Sequence, residues 1–379
     1  MAPKNLLSKV LARSPAELAR EAAKRLRTAT RFERYARGRA GPPYAVSFWV
    51  TRRCNLNCAM CWVAQSRRLE GEQYLRAGEE LTLAELQAVV DDLRRWRPRL
   101  GVTGGEPFLR PDLLDFLAYA KARGFRLGVN TNGSFLGRDA AALVEIGVDS
   151  LMVSVDGPPA LHDGQRRSPG SFRAVQEGLA ALAEAKGRRG ARTPYVKVTC
   201  TITAANVASL AELPPLLADL ALDELTFQHL WYTDRATADA QRALFRELFG
   251  QDTTYLQGFV VDDLPPLDVG LLRVQARALA STAAPVPVNF YPPLEEEAMV
   301  RFYADPRSPL RRPCFSRWLR VDLLPDGTVT PCLGLEAGNV RDRSLSVLWN
   351  GEVLRRFRAE LASRKAFPGC SRCCGLFSD

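Results

Sequence analysis

Histidine is almost missing from this sequence, which holds only His162 and His229 among its 379 residues. That leaves little room for chemistry built on several histidines, such as His-rich zinc catalysis or paired acid–base relays. Long apolar runs are missing too. No stretch approaches the roughly 20 apolar residues needed to span a bilayer, and Met1–Leu7 lacks the apolar core of a secretory signal. The expected location is the cytoplasm, where thiols stay reduced unless a metal claims them. Net positive charge is missing from most of the chain. The formal net charge is +10, yet residues 1–40 alone hold eleven Lys or Arg against three Glu. The near-neutral remainder argues against a nucleic-acid partner. At 46% hydrophobic and 25% charged, the chain has a globular balance, sufficient for one large core or two domains.

What is present is an alternation of strand and helix. Residues 1–43 form a basic N-terminal segment. There Ser14-Pro15-Ala16-Glu17 opens a helix to about Tyr35, with a capping serine and proline at the first helical position. Leu18, Ala22, Leu26, Ala29 and Phe32 share one face, and Lys24, Arg25, Arg27, Arg31 and Arg34 cover much of the rest. Such a helix either packs on the body with its charges solvated or lies peripherally on the anionic inner membrane surface. From 44 to about 250, strands at 44–51, 100–103, 126–130, 150–155, 195–202 and 224–231 alternate with helices at 82–96, 112–123, 139–146, 172–186 and 208–221. Six such units predict an α/β fold, a partial (βα)6 TIM-like barrel with ligands at the carboxyl ends of the strands. Residues 251–307, broken by prolines, read as a bridging segment with a short strand near 286–291. Residues 308–379 read as a small C-terminal domain: a hairpin turning at Pro325-Asp326-Gly327, a helix at 345–363, then a cysteine knuckle.

The nine cysteines cluster. Cys54, Cys58 and Cys61 spell C-x3-C-x2-C just after the first strand. Three thiolates on one loop can hold three irons of a 4Fe–4S cluster and leave the fourth iron open. Zinc or incidental thiols are the competing reading, although zinc knuckles favour C-x2-C pairs with a fourth ligand nearby. Cys314, Cys332, Cys370 and Cys373 give C-x17-C-x37-C-x2-C, enough to close a second site, with Cys374 able to replace Cys373. A structural zinc ribbon is the alternative there.

Further motifs sit at strand ends. Gly104-Gly105-Glu106-Pro107 closes the second strand: two glycines permit close backbone approach, and Glu106 offers a carboxylate to an ammonium group. Asn130 and Asn132 at the end of the third strand present short polar side chains suited to ribose hydroxyls. Ser154-Val155-Asp156-Gly157 ends the fourth.

The stretch Thr51–Cys61 (TRRCNLNCAMC), together with these motifs, resembles the radical S-adenosylmethionine (SAM) superfamily across residues 44–230. The C-terminal cysteines resemble its SPASM/twitch cluster domains across 314–374. One departure is Met60, where the superfamily usually has an aromatic residue near the adenine. The resemblance implies that Cys54, Cys58 and Cys61 hold a catalytic 4Fe–4S cluster and that Gly104, Gly105, Glu106 and Pro107 hold the amino group of SAM. Ser154 and Asp156 would lie near its carboxylate or ribose. Arg166, or the adjacent Arg167, would pair with the carboxylate. Asn206 would contact the adenosine or, equally, cap a helix. His162 would order its loop or act as an acid or base. Five C-terminal cysteines fit one auxiliary 4Fe–4S cluster, and Leu333 stands where relatives often place an aspartate.

The implied reaction is reductive cleavage of SAM to a 5′-deoxyadenosyl radical that takes hydrogen from a substrate, with flavodoxin or ferredoxin as reductant. The favoured substrate is a small molecule or lipid-linked precursor undergoing net oxidation. Ribosomal-peptide or protein modification is the alternative, weakened because residues 1–43 read as basic helix with no strand-rich peptide-recognition domain. A non-catalytic metal-binding protein is the rival from another class.

Overall fold

The computed structural model describes residues 37–70, 80–260, 266–281, 284–305, 307, 314–332, 334–373 and 375. The expected basic helix lies outside them, as do Leu333 and Cys374. Six strands form the body: β1 (Ala45–Trp49), β2 (Arg99–Thr103), β3 (Arg126–Thr131), β4 (Ser150–Ser154), β5 (Tyr195–Ile202) and β6 (Glu224–His229). They lie side by side in chain order, every neighbouring pair parallel. Parallel neighbours require crossovers, and helices supply them.

Alternation along each strand decides which face is sealed. Val46, Leu100 and Leu127 sit in register, as do Val153 and Val198, and all are essentially inaccessible. They pack under the outer helices. The intervening residues include several smaller or polar ones: Ser47, Gly101, Gly128, Ser150, Thr199 and Thr201. That second face leaves room for a ligand instead of filling the barrel with aliphatic layers.

The sheet continues beyond the six expected strands. β7 (Val288–Tyr291) pairs parallel with β6, and β8 (Arg320–Leu323) pairs parallel with β1. β9 (Val329–Thr330) folds back antiparallel on β8. The C-terminal hairpin is therefore part of the core sheet, whose ends are β7 and β9 and which does not close.

Two expected helices are broken into shorter pieces. Over 208–221 the chain forms a 3-10 turn, Val207–Glu212, and a four-residue helix, Leu213–Leu216; Pro214 and Pro215 lack the donors to extend it. The helix expected at 345–363 is split at Asn350-Gly351 into Leu345–Leu348 and Glu352–Arg364. A helix the strand–helix pattern did not reveal, Pro159–Arg166, follows β4 and starts on a proline.

Helices Leu136–Ile146 and Ser171–Arg189 cross where both carry glycine. A Cβ on Gly178 would stand 2.8 Å from Leu136 Cβ, and one on Gly137 would stand 3.8 Å from Gly178 Cα. Replacing Gly178 with Val should force the helices apart and lower stability by roughly 1–3 kcal/mol, measured by chemical denaturation. An unchanged midpoint would refute this close packing.

Candidate functional site

The first cysteine loop leaves β1 and is held by backbone. Val50 N–H donates to Thr103 O (2.9 Å), Gly105 N–H to Thr51 O (2.9 Å) and Glu106 N–H to Arg53 O (2.8 Å). Side chains on Gly104 and Gly105 would collide with this loop, their Cβ atoms falling 2.5 Å from Thr51 O and 2.1 Å from Arg53 O. The glycines expected to admit a ligand thus also admit the cysteine loop itself. Arg67 reaches back to Cys54 O and Leu56 O, and Glu80 receives Thr51 Oγ1 and Arg52 N–H. Arg52 pairs with Asp326 of the C-terminal hairpin turn at 2.8 Å. Arg67 and Glu80 lie outside the motifs and carried no sequence signal, and Asp326 was legible only as a turn residue.

Cys58 is buried, and Cys54 and Cys61 are half-buried. Burial pushes the Cys54 thiol up to about 11; Leu56 N–H opposes this, and Glu106, Cys58 and Cys61 add to it. Cys58 is also raised by burial, offset by Arg166. Three thiols near enough to repel one another's charge require a cation to become thiolates together. Single-ion coordination draws thiolates in to about 2.3 Å from one zinc, whereas a cluster takes each thiolate on a different iron. The C-x3-C-x2-C spacing of the loop suits the latter.

Glu106 is fully buried. Its Oε1 accepts Thr131 Oγ1–H (2.8 Å) and Phe108 N–H (3.2 Å), and Oε2 accepts Asn132 N–H (2.7 Å). It joins the ends of β2 and β3, and its Oε2 takes a single bond among these. Pro107 opens the 3-10 turn Pro107–Leu109. Asn132 donates to Asn55 Oδ1 at 2.9 Å and lies 4.0 Å from Cys54 Sγ. Asn130 is exposed near Thr103, and half-buried Ser154 ends β4.

Asp156 is inaccessible. One carboxylate oxygen accepts Thr201 N–H (2.9 Å), and the other stands 2.6 Å from Arg166 Nη2. Arg166, expected to meet a ligand carboxylate, already has this internal counterion. Its Nη1 lies 3.7 Å from Cys58 Sγ, and its buried Nε has no hydrogen-bond partner among the described residues. Asn206 spends its amide on the chain: Nδ2 donates to Asp156 O and Thr201 O (both 2.8 Å), and Oδ1 accepts Thr203 N–H (2.8 Å). It staples the loop after β5 instead of facing an open space. Gln165, which the motifs did not single out, accepts Ala59 N–H at its carbonyl and Thr203 Oγ1–H at its side chain.

A cavity of about 400 Å³ adjoins the cysteine loop. Ala59, Met60 and Gln165 line one side, Ile202–Ala205 and Leu230 the strand ends, and Tyr232, Pro266, Leu267 and Tyr303 the far side. Met60 thus supplies apolar surface. Behind the loop, Trp62 stacks on Phe259 at 4.9 Å and lies 5.0 Å from Tyr255.

The second thiol group is more enclosed. Cys314 precedes the turn Ser316–Trp318, Cys332 follows β9, Cys370 ends the turn Pro368–Cys370, and Cys373 follows it. Cys314, Cys370 and Cys373 are buried, and Cys332 is half-buried. Burial is the largest cause raising Cys332 and Cys370; Cys373 and Cys314 add to the rise at Cys332, and Cys332, Cys373 and Cys314 add to it at Cys370. Four mutually repelling thiols fit a polynuclear cation that takes one thiolate per metal.

His162 accepts Asp156 N–H at Nδ1 (3.1 Å), and His229 meets Tyr303 Oη at 2.8 Å. Burial holds both near pKa 4, and the Arg166 charge lowers His162 further. His162 is thus a neutral acceptor ordering the loop. Between about pH 6.5 and 4 the unfolded chain binds protons that the folded one refuses, so stability is full above this window and falls through it. Denaturation midpoints at pH 7 and 5 should show that fall, and neither imidazole should titrate by NMR above pH 5. Breaking the buried pair with Asp156→Asn should cost about 3–5 kcal/mol, read from the same denaturation curves; a loss under about 1 kcal/mol would contradict this geometry.

The sequence matches the radical SAM superfamily model over residues 50–203 and the SPASM iron-sulfur cluster-binding domain over residues 314–374. It is 34% identical over 190 residues to Fe-coproporphyrin III synthase of Methanosarcina barkeri, covering 50% of this chain and 44% of that protein. It is 27% identical over 326 residues to AdoMet-dependent heme synthase of Oleidesulfovibrio alaskensis, covering 83% of this chain and 76% of the relative. The chain therefore aligns with less than half of the first relative and about three quarters of the second. The fold is similar to that of SuiB from Streptococcus suis bound to S-adenosylmethionine, with a TM-score of 0.55 and 13% identity over 83% of this chain and 67% of that one.

Proposed function

As this chain belongs to the radical SAM superfamily and carries a SPASM domain, we propose that it removes hydrogen from a small-molecule precursor in a net oxidation, with a tetrapyrrole as the substrate class. The observation that carries the reading is the cavity sharing Ala59 and Met60 with the three-cysteine loop. Its size suits a small-molecule site. The tetrapyrrole class rests on the names of the two relatives, one of which aligns with 83% of the chain.

Cys54, Cys58 and Cys61 would hold the 4Fe–4S cluster, and Cys314, Cys332, Cys370 and Cys373 the auxiliary one. Bound together, the first cluster and SAM supply the one-electron sulfonium cleavage that yields the hydrogen-abstracting 5′-deoxyadenosyl group. The protein's part is placement. The Gly104-Gly105 turn fixes the cysteine loop against β2, and Glu106, whose Oε2 accepts Asn132 N–H, would offer its carboxylate to a ligand donor. Asn130, Asn132 and Ser154 offer polar groups at the strand ends. Arg166, held by Asp156, directs positive charge toward Cys58 and the ligand side. Met60, Ile202, Leu230 and Leu267 keep water from the reacting groups. Flavodoxin or ferredoxin is the proposed electron donor. Among the described residues no helix is long and apolar enough to cross a membrane; peripheral contact through the basic segment 14–35 and a cytoplasmic location belong to the same proposal.

Anaerobically purified protein should be brown, with about eight irons per chain if both clusters are 4Fe–4S. With SAM and dithionite it should release 5′-deoxyadenosine, and Cys58→Ala should reduce that release to background. Colourless protein with stoichiometric zinc would overturn the reading. Deuterated tetrapyrrole carboxylates should pass deuterium into 5′-deoxyadenosine; SAM cleavage without such transfer would remove the substrate class while leaving the reaction class.

A further inference from the structure

A buried guanidinium lies beside the auxiliary thiols. Arg317 lies in the turn after Cys314 and its side chain is only 9% exposed. Nη1 donates to Pro331 O, immediately before Cys332, and stands 3.7 Å from Asp322 Oδ2. Nη2 and Cys373 Sγ each lie 3.2 Å from the point a Cβ on Gly375 would occupy, so they are at most twice that far apart. Burial opposes the guanidinium charge, but Cys332, Asp322, Cys314 and Cys373 outweigh it and hold the pKa above the ordinary arginine value.

A neighbouring arginine shows what a scaffold role looks like. Arg358 is inaccessible, donates to the carbonyls of Arg317, Trp349 and Gly38, and lies over the Trp349 ring. Its charge faces backbone and an aromatic ring, whereas that of Arg317 also lies among three thiols and a carboxylate.

We propose that Arg317 tunes the auxiliary cluster, raising its reduction potential through a fixed positive charge that Asp322 partly cancels. A cluster gains one negative charge when it accepts one electron. A nearby cation therefore favours the reduced state and a nearby anion the oxidised state, the electrostatic control available around iron–sulfur sites. The inference rests on the four thiols holding a cluster and is independent of the substrate.

The test uses the full chain with Cys54, Cys58 and Cys61 replaced by Ala, so that the auxiliary cluster alone is reconstituted and titrated with dithionite under EPR. In that background Arg317→Gln should lower the midpoint by about tenfold or more in the reduction equilibrium, or 59 mV for one electron. Arg317→Lys should recover most of the shift, and Asp322→Asn should move the midpoint upward. Opposite shifts from the two neutral variants support the proposal, because a mere brace would not invert with the sign of the removed charge. If Arg317→Gln fails to load a cluster, an upward shift in Asp322→Asn still supports it. Midpoints unchanged in every variant that loads, or moving in one direction for both neutral variants, overturn it.

Discussion

The docking of Gly104-Gly105-Glu106 against Thr51–Arg53 is the constraint on which the rest of the site depends. Two N–H groups reach loop carbonyls at 2.9 and 2.8 Å, and there is no room for a Cβ on either glycine. The end of β2 consequently sets the direction in which the chain leaves β1. From that departure follow the placement of Cys54, Cys58 and Cys61, the entry of Trp62 into its aromatic packing, and the position of Met60 on the cavity wall. Glu106 extends the same constraint to β3 through Thr131 and Asn132. Three strand ends and one cysteine loop thus become a single rigid unit.

Asp156 performs the corresponding task beyond β4. Its main-chain N–H meets His162, its carbonyl receives Gln165 and Asn206, and its carboxylate meets Thr201 and Arg166. Several polar residues that look like ligand contacts in the sequence are first contacts to one another. This is economical physically. A buried carboxylate or guanidinium must be paired before any ligand arrives, and pairing also prevents the site from collapsing around its own charge. A ligand then meets a preset field instead of having to organise one.

The six-strand body was legible because each strand carries a short apolar pattern and each crossover has its own helix signal, Thr82 with Glu85 being the clearest. The strands β7 and β8 are harder to place from sequence. Four residues contain too little pattern to announce a partner, and Val288–Tyr291 and Arg320–Leu323 join the sheet through pairings with β6 and β1 far away along the chain. Helix 208–221 failed for a local reason, the Pro214-Pro215 pair. Among candidate site residues, cysteines and glycines were visible because few other residue types can take their places. Arg67, Glu80, Gln165 and Arg317 were not, because a charged or amide side chain outside a motif has no spacing that distinguishes it from a solvated one.

The two thiol groups differ in how their arginines are neutralised, and this separates their proposed tasks. Near Cys58, Arg166 stands 2.6 Å from an aspartate with no solvent access. Near the auxiliary thiols, Arg317 stands 3.7 Å from Asp322, whose side chain is 26% exposed. Solvent screens the second counterion more, and distance weakens it further. Asp156 therefore offsets more of the Arg166 charge than Asp322 offsets of the Arg317 charge, although Arg166 still lowers the Cys58 thiol more than Asp156 raises it. On this electrostatic ground alone the first cluster would hold its electron less tightly and the auxiliary cluster more tightly. That ordering suits a donor to a sulfonium at one site and an acceptor of a substrate electron at the other. The protein creates the difference with the placement of two carboxylates, without changing the sulfur chemistry of the ligands.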